Sequence, residues 1–279
     1  MDIMQAMTTQ TEKAELLRRL HHGPDILVLP NAWDCASARI FERTGFPAIA
    51  TTSAGLANSL GYPDGQRIPR EEMLAAVKKI AACVGVPVTA DLEAGYEDIA
   101  KTTAGLVDSG AVGLNLEDAD YAGNAGLIEI GRQVQKVAAV RRIGDELGVK
   151  LVINARTDVY LAQIGEPESR FGRTCDRARA YIEAGADCVF IPGVSDEELI
   201  GRLVQALKFP INILAVAGTP SVHRLKELGV ARVSVGSGIM RATMGLTRQI
   251  AQELRTQGTY NKMVEGAIPY AEANRVLES

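Results

Sequence analysis

The sequence predicts an α/β fold, a (β/α)8 TIM-type barrel with extra N- and C-terminal helices, and three observations carry that expectation. Eight short runs rich in Val, Ile, Leu and Ala recur along the chain, and each is followed by a longer stretch with apolar residues at helical spacing. Several of the helical stretches end at a Gly just before the next run, as in ERTGFPAI, DSGAVGL, EAGADCV and KELGVARV, where a left-handed residue ends a helix and turns the chain. Alternation of this kind implies parallel pairing, because a parallel return needs a crossover, and eight units is the number that closes a barrel. The 279 residues suit one barrel domain over 1–279, since such barrels run to about 250 residues. An open doubly wound sheet is the alternative; against it, no GxGxxG follows the first strand.

The units follow in order. DILVLP from 25 precedes a helix over 34–44, with Asp34 placed to cap it and Trp33 to pack on the barrel. PAIATT from 47 leads into TTSAGLANSLGYPDGQ, expected as a long loop whose small residues bring backbone N–H groups near an anionic oxygen, and then a helix over 69–83. VPVTAD from 86 precedes 98–109, VGLNLE from 112 precedes 127–147, and KLVINAR from 150 precedes 170–184. DCVFIP from 187, INILAV from 211 and RVSVG from 232 precede helices over 196–207, 220–228 and 238–255. A polar helix near 11–21 and the segment YNKMVEGAIPYAEANRVLES lie outside the eight units.

Composition narrows the function. Hydrophobic residues make up 47% of the chain and the net charge is −4, so a core is affordable and no basic excess exists for nucleic acid. No apolar run approaches the ~18 residues of a membrane span, and MDIMQAMTTQTEKAELL lacks the basic start and apolar centre of a signal peptide. A cytoplasmic protein with no membrane partner is expected. Cys35, Cys83, Cys175 and Cys188 form no CxxC pair and are expected as buried free thiols, without zinc or disulfide. His21, His22 and His223 fall on helices away from strand ends and are expected to be exposed and idle.

In a barrel of this kind the reaction site lies at the C-terminal mouth of the strands. Thr89, Asp91 and Glu93 alternate with Ala90 and Leu92; Gly113, Asn115 and Glu117 alternate with Leu114 and Leu116; Asn154 and Arg156 alternate with Ile153 and Ala155. Side chains on a strand alternate faces, so each polar set shares one face, and that face must be the barrel interior. Three carboxylates and one guanidinium thus meet in a small volume. A hard divalent cation would relieve their repulsion, and Mg²⁺ takes one or two direct carboxylates plus waters and substrate oxygens. Asp91, Glu93 and Glu117 are the candidate metal residues, with Mn²⁺ as the alternative ion, and Arg156 is left to grip a substrate carboxylate. The plainer alternative is a buried ion-pair network between Arg156 and these acids.

With these residues in place, the chain resembles the isocitrate lyase and phosphoenolpyruvate mutase superfamily, on SAGLANSLGYPD, TADLEAGY, LNLED and NARTD in this order and spacing. The resemblance implies that Asp91 binds Mg²⁺, that Glu93 supports it through water and that Glu117 belongs to the same shell. It further implies that Arg156 binds substrate carboxylate, that Ser53, Ala54 and Gly55 contact substrate through backbone groups, and that Asp64 lines the site. Asn115 joins the substrate-binding set. Departures are equally specific. Family lyases carry a KxCGH loop with a proton-donating Cys soon after the LED segment, and this chain reads LEDADYAGNAGLIEIG there. The mutases and phosphonopyruvate hydrolases place a Lys where Ala119 stands, and the lyases a Glu where Gly193 stands.

The candidate proton donors are then Tyr121, within a Gly-flanked segment (Gly123, Gly126) suited to a lid, or a water held by the metal shell. A surface tyrosine is the plainer reading. The expected activity is a Mg²⁺-dependent carbon–carbon lyase, decarboxylase or hydrolase acting on a small 2-oxo or 2-hydroxy dicarboxylate through an enolate-like intermediate. The alternatives are a phosphorus–carbon bond enzyme and a metabolite-binding barrel that has lost catalysis. The resemblance also implies a homo-oligomer, dimer or tetramer, that exchanges its C-terminal helices, about 238–279, between subunits.

Overall fold

The chain is seen in a computed structural model that describes residues 9–121, 123 and 126–278. Its strands are β1 (Leu27–Leu29), β2 (Asn31–Ala32), β3 (Ile49–Thr51), β4 (Val88–Asp91), β5 (Gly113–Glu117), β6 (Ala119–Asp120), β7 (Gly126–Leu127), β8 (Val152–Arg156), β9 (Cys188–Phe190), β10 (Ile211–Leu214) and β11 (Arg232–Ser234). All pairs in the main sheet are parallel, in the order β1-β11-β10-β9-β8-β5-β4-β3-β2, and β6 and β7 form a small antiparallel pair beyond the mouth. β1 and β2 are two halves of one strand, divided at Pro30, which has no N–H for the ladder but still accepts from Ala50 N at 2.9 Å. One half pairs with β11 and the other with β3, so the sheet closes as a ring of eight.

The helices are α1 (Gln10–His21), α2 (Cys35–Arg43), α3 (Ser53–Ser59), α4 (Arg70–Cys83), α5 (Ile99–Asp108), α6 (Ile130–Glu146), α7 (Pro167–Glu183), α8 (Glu197–Leu207), α9 (Val222–Glu227), α10 (Gly238–Gln257), α11 (Asn261–Val264) and α12 (Tyr270–Leu277). Starts are written in the sequence. Thr9 and Glu12 make a capping box on α1, and Asp34, Asp98 and Asp196 accept from first-turn amides of α2, α5 and α8. One expectation fails here: the segment after β3 is not all loop, because Thr52 caps α3, accepting from Gly55 N, and Leu56 and Ala57 anchor that helix in the core. Its small residues and glycine disguised it.

α1 closes the bottom of the barrel. Ala14 and Leu17 are fully buried, Gln10 Nε2 donates to Val107 O and Ala111 O, and Arg18 Nη2 donates to Lys150 O and Leu151 O at the strand starts. His21 continues this apolar face, so it is buried and not exposed as expected, whereas His22 and His223 are exposed. Its Nδ1 donates to Leu17 O at 2.8 Å, and burial with the nearby Arg232 charge pulls it down to about 3, leaving a neutral ring. Two of the thiols also differ from expectation: Cys175 and Cys188 are buried, but Cys35 and Cys83 are half-buried, at the start of α2 and the end of α4. At the other end α10 buries only Met240 and Glu253, α11 and α12 bury nothing, and α12 packs on α2 with Arg43 Nη2 donating to Glu278 O at 3.0 Å. Among the described residues no helix is long and apolar enough to cross a membrane.

Gly113 shows how tightly the plug meets the barrel: a Cβ there would lie 2.7 Å from Val152 O, 3.0 Å from Thr89 Oγ1 and 3.1 Å from Leu17 Cδ2. Gly113→Ala is therefore expected to destabilise the chain by about 1–3 kcal/mol through overpacking, read as a lower urea midpoint with an unchanged slope.

Candidate active site

The strand alternation places the polar sets inside the barrel. Thr89, Asp91, Asn115, Glu117 and Asn154 are all buried, and Asp91, Asn115 and Asn154 face one another across β4, β5 and β8 in register. Glu93 lies just past β4 with φ +53°, a left-handed conformation that costs a non-glycine residue about 1 kcal/mol or more and that clusters at functional sites. Arg156 ends β8 directly opposite Glu117.

Ser53, Ala54, Asp64, Asp91, Asn115 and Arg156 line one cavity of about 200 Å³ at the mouth. Ser53 donates to Asp91 Oδ2 twice, from its amide at 3.1 Å and its hydroxyl at 2.9 Å. Asp91 Oδ1 is left buried without a partner, as are both carboxylate oxygens of Glu93. Gly55 does not line this cavity, its amide being held by Thr52 Oγ1 at 3.3 Å. Tyr121 lies beside it, lining a second cavity of about 350 Å³ with Gly65, Arg67, Arg132 and Lys136, and its hydroxyl donates to Glu117 Oε1. The residue is 43% exposed, so it is both a surface tyrosine and a partner of the acid row. Asn124, the one amide side chain between Asp118 and Arg132, lies outside the described residues.

The ion-pair network posed as the alternative is present. Asp158 Oδ1 and Oδ2 accept from Arg156 Nε and Nη2 at 2.6 and 2.7 Å, and Glu117 Oε2 lies 2.5 Å from Nη1. Two of the five guanidinium N–H groups remain for a ligand. Asp158 itself is fixed by Asp118, which accepts from Asp158 N, Arg177 Nη1 and Tyr181 Oη at 2.9, 3.0 and 2.7 Å. Sequence reasoning passed over Asp118, Asp158 and Arg177. The signal for Asp158 was its place two residues after Arg156 in NARTD.

The acids still outnumber the base. Burial, then Asp91, Glu117 and Asp64, push Glu93 up to about 9. Burial raises Glu117 and Asp158 as well, with Arg156 opposing, and partial burial and Asp91 raise Asp64. For Arg156 burial works against the charge, but Glu117 and Asp158 outweigh it. Among the described residues no three Asp, Glu, His or Cys side chains form a ready metal cage. The orphaned oxygens of Asp91 and Glu93 fit instead a hard divalent ion that keeps most of its waters and takes one or two direct carboxylates.

Buried acids at the strand ends, set around one guanidinium over a small cavity, define a TIM-barrel enzyme with its site at the C-terminal mouth. The chain belongs to the isocitrate lyase and phosphoenolpyruvate mutase superfamily: a family model described as phosphoenolpyruvate phosphomutase matches residues 17–255. It is 26% identical over 259 residues to the 2-methylisocitrate lyase of Aeropyrum pernix, covering 90% of this chain and 82% of that one. Among solved structures, a putative lyase/mutase of Burkholderia cenocepacia superposes with a TM-score of 0.89 at 35% identity, covering 97% of both chains. An oxaloacetate acetylhydrolase solved with the product oxalate does so with a TM-score of 0.86 at 25% identity, over 97% of this chain and 95% of that one. Gly193 gives one departure a physical basis. It has φ +82°, and a Cβ there would lie 2.7 Å from Leu161 N, so the backbone at this position admits no glutamate.

Because Glu93 is raised from 4.5 to about 9 in the folded chain, the folded state binds more protons than the unfolded one across that window. Stability in excess chelator is thus expected to fall as pH rises from about 5 to 9, and to fall less steeply in Glu93→Gln. Thermal melts in EDTA at both ends of the window check it; parallel slopes for the two proteins would contradict it.

Proposed function

We propose that this enzyme cleaves a carbon–carbon bond in a small 2-oxo or 2-hydroxy dicarboxylate, with Mg²⁺ or Mn²⁺ at Asp91, supported by Glu93 and Glu117. The observation that carries the reading is the 200 Å³ cavity lined by both Asp91, whose Oδ1 is buried without a partner, and Arg156, which keeps two N–H groups beyond those given to Asp158 and Glu117. The ion would supply a fixed positive charge to the oxygen on which enolate charge develops. Arg156 holds a carboxylate through its two remaining N–H groups, and the first turn of α3 at Ser53 and Ala54 walls the cavity and orients Asp91. Asp64, at the rim, takes the proton of the hydroxyl of a 2-hydroxy acid, or of the gem-diol that water forms on the carbonyl of a 2-oxo acid, as the carbon–carbon bond breaks. Tyr121, whose hydroxyl is held protonated by burial and by Glu117, returns a proton to the carbon. The likeness to an oxaloacetate acetylhydrolase supports starting with oxaloacetate, followed by isocitrate, methylisocitrate, dimethylmalate and phosphonopyruvate.

Asp91→Ala is expected to lower kcat/KM by roughly 10²-fold or more with the circular dichroism unchanged, as expected when a group stabilising developing charge is lost. Full turnover in excess EDTA would exclude the metal. Arg156→Lys is expected to raise KM sharply and lower the melting temperature, because a point charge replaces neither the fork to Asp158 nor the grip on substrate. Phosphorus–carbon chemistry, supported by the family match, is the second reading. Between Asp118 and Arg132 the sequence has no Lys or Arg to meet a transferring phosphoryl group, so no phosphoenolpyruvate signal is expected from phosphonopyruvate by phosphorus NMR. A growing signal at a catalytic rate would replace the lyase reading, and tight oxaloacetate binding without turnover would favour a lapsed enzyme.

A homo-oligomer, dimer or tetramer, belongs to the same proposal. The arm from α10 to α12 leaves Met244, Leu254, Tyr260, Met263, Val264 and Tyr270 exposed. Light scattering of the full chain is expected to give a multiple of 29.8 kDa, and of a chain ending at Gln257 a smaller one.

A further inference from the structure

The structure assigns Arg232 a positioning role: acting through Asn115, it fixes one hydrogen-bond donor toward a substrate oxygen anion. This rests on reading the mouth as a carboxylate site.

Arg232 begins β11, is 0% exposed, and has no acid in an ion pair with it among the described residues. Its Nη2 donates to Asn115 Oδ1 at 3.3 Å, while Nε and Nη1 are buried without partners. A buried cation so poorly paired costs stability, and a neutral residue of similar shape would fill the space without that cost. Asn154 Nδ2 donates to the same Asn115 oxygen at 2.8 Å.

The two ends of an asparagine amide look alike in shape and are told apart by their neighbours. Here the neighbour leaves no choice, because a guanidinium has five donors and no acceptor. The Asn115 atom that faces Arg232 must be oxygen, and the Asn154 atom that faces that oxygen must be nitrogen. With Oδ1 engaged twice inside the barrel, Nδ2 is the polar atom that Asn115 presents to the mouth. No described residue accepts from it, and it is not sealed from solvent. Asn115 lines the cavity beside Asp91 and Arg156, in register with Asp91.

The consequence is a preorganised donor for a carboxylate or enolate oxygen, opposed to a ligand that offers only N–H groups at that point. Arg232 never touches the substrate. Its effect passes through the Asn115 amide.

Oxalate, added with Mn²⁺ to the full chain and followed by calorimetry, is the probe, and a double-mutant cycle is the test. Asn115→Leu, which keeps the volume and removes the donor, is expected to weaken oxalate about tenfold or more, as loss of a hydrogen bond to a charged group does. Arg232→Met is expected to weaken oxalate several-fold when Asn115 is present and much less when Asn115→Leu is already in place; Arg232→Lys should recover most of the loss. Mn²⁺ affinity without oxalate, read by electron paramagnetic resonance, should stay within about twofold throughout, which also reports folding. Equal losses from Arg232→Met in both backgrounds would mean that Arg232 acts by charge alone and would overturn the assignment. Unchanged oxalate affinity in Asn115→Leu would overturn it even if no Arg232 variant folds. Oxalate binding needs no turnover. A chain that binds oxalate with this coupling but cleaves no 2-oxo acid retires the proposed reaction and keeps the assignment, and a chain that turns over oxaloacetate without the coupling does the reverse. Absence of any oxalate binding overturns both.

Discussion

The site depends on one constraint: Asp91, Glu93, Glu117 and Asp158 are taken out of water beside one guanidinium, Arg156, and their excess charge must be met where they stand. Two carboxylates 4 Å apart repel by about 4 kcal/mol at the effective dielectric of a protein surface, and by more inside. Each neighbour of the row can be understood as an answer to that repulsion. Ser53 gives Asp91 two donors, Arg156 is shared between Glu117 and Asp158, Tyr121 lends Glu117 a hydroxyl, and Glu93 is held above its ordinary value. The answers are incomplete, since Asp91 Oδ1 and both Glu93 oxygens stay without donors. That residue of unmet charge is what a cation would complete.

Support extends a layer further out. Asp118 has no access to the mouth, yet it ties the Asp158 backbone to Arg177 and Tyr181 on α7, so the helix packing holds the orientation of Arg156. The row is rigid because its partners lie on strands and on a long helix. In the segment after β5, Tyr121 reaches down to the acids, its hydroxyl donating to Glu117.

Much of this was legible in the sequence, and the reason is period two. Thr89 and Asp91, Asn115 and Glu117, Asn154 and Arg156 alternate with apolar residues, and only one face of a barrel strand can hold the polar set. The failures lie where that rule stops. Asp158 falls beyond the end of β8, Asp118 beyond the end of β5, and α3 hides behind glycine and serine in a stretch whose helix is made by a cap and two core residues. His21 had a signal that went unused: Ala14, Leu17 and His21 fall at helical spacing on one face, and all three are buried. Arg232 had one as well: in RVSVG it shares a face with buried Ser234 and alternates with Val233 and Val235, the same period-two pattern as in the other strands.

The break at Pro30 has a consequence for how the chain assembles. The ring closes only when Leu27–Leu29 meets Arg232–Ser234, with Asn31 Oδ1 accepting from Val235 N and Gly236 N across 204 and 205 residues of chain. Contacts so distant in sequence are paid for in loop entropy before they return anything, and they form late. During synthesis the first strand must wait for the last, with an unpaired edge and the upper faces of α1 uncovered meanwhile. Closure of the seam also delivers Arg232, at its first residue, to Asn115. The event that completes the fold and the event that orders the mouth are thus one, and a chain released before residue 232 has neither a sealed barrel nor an oriented amide.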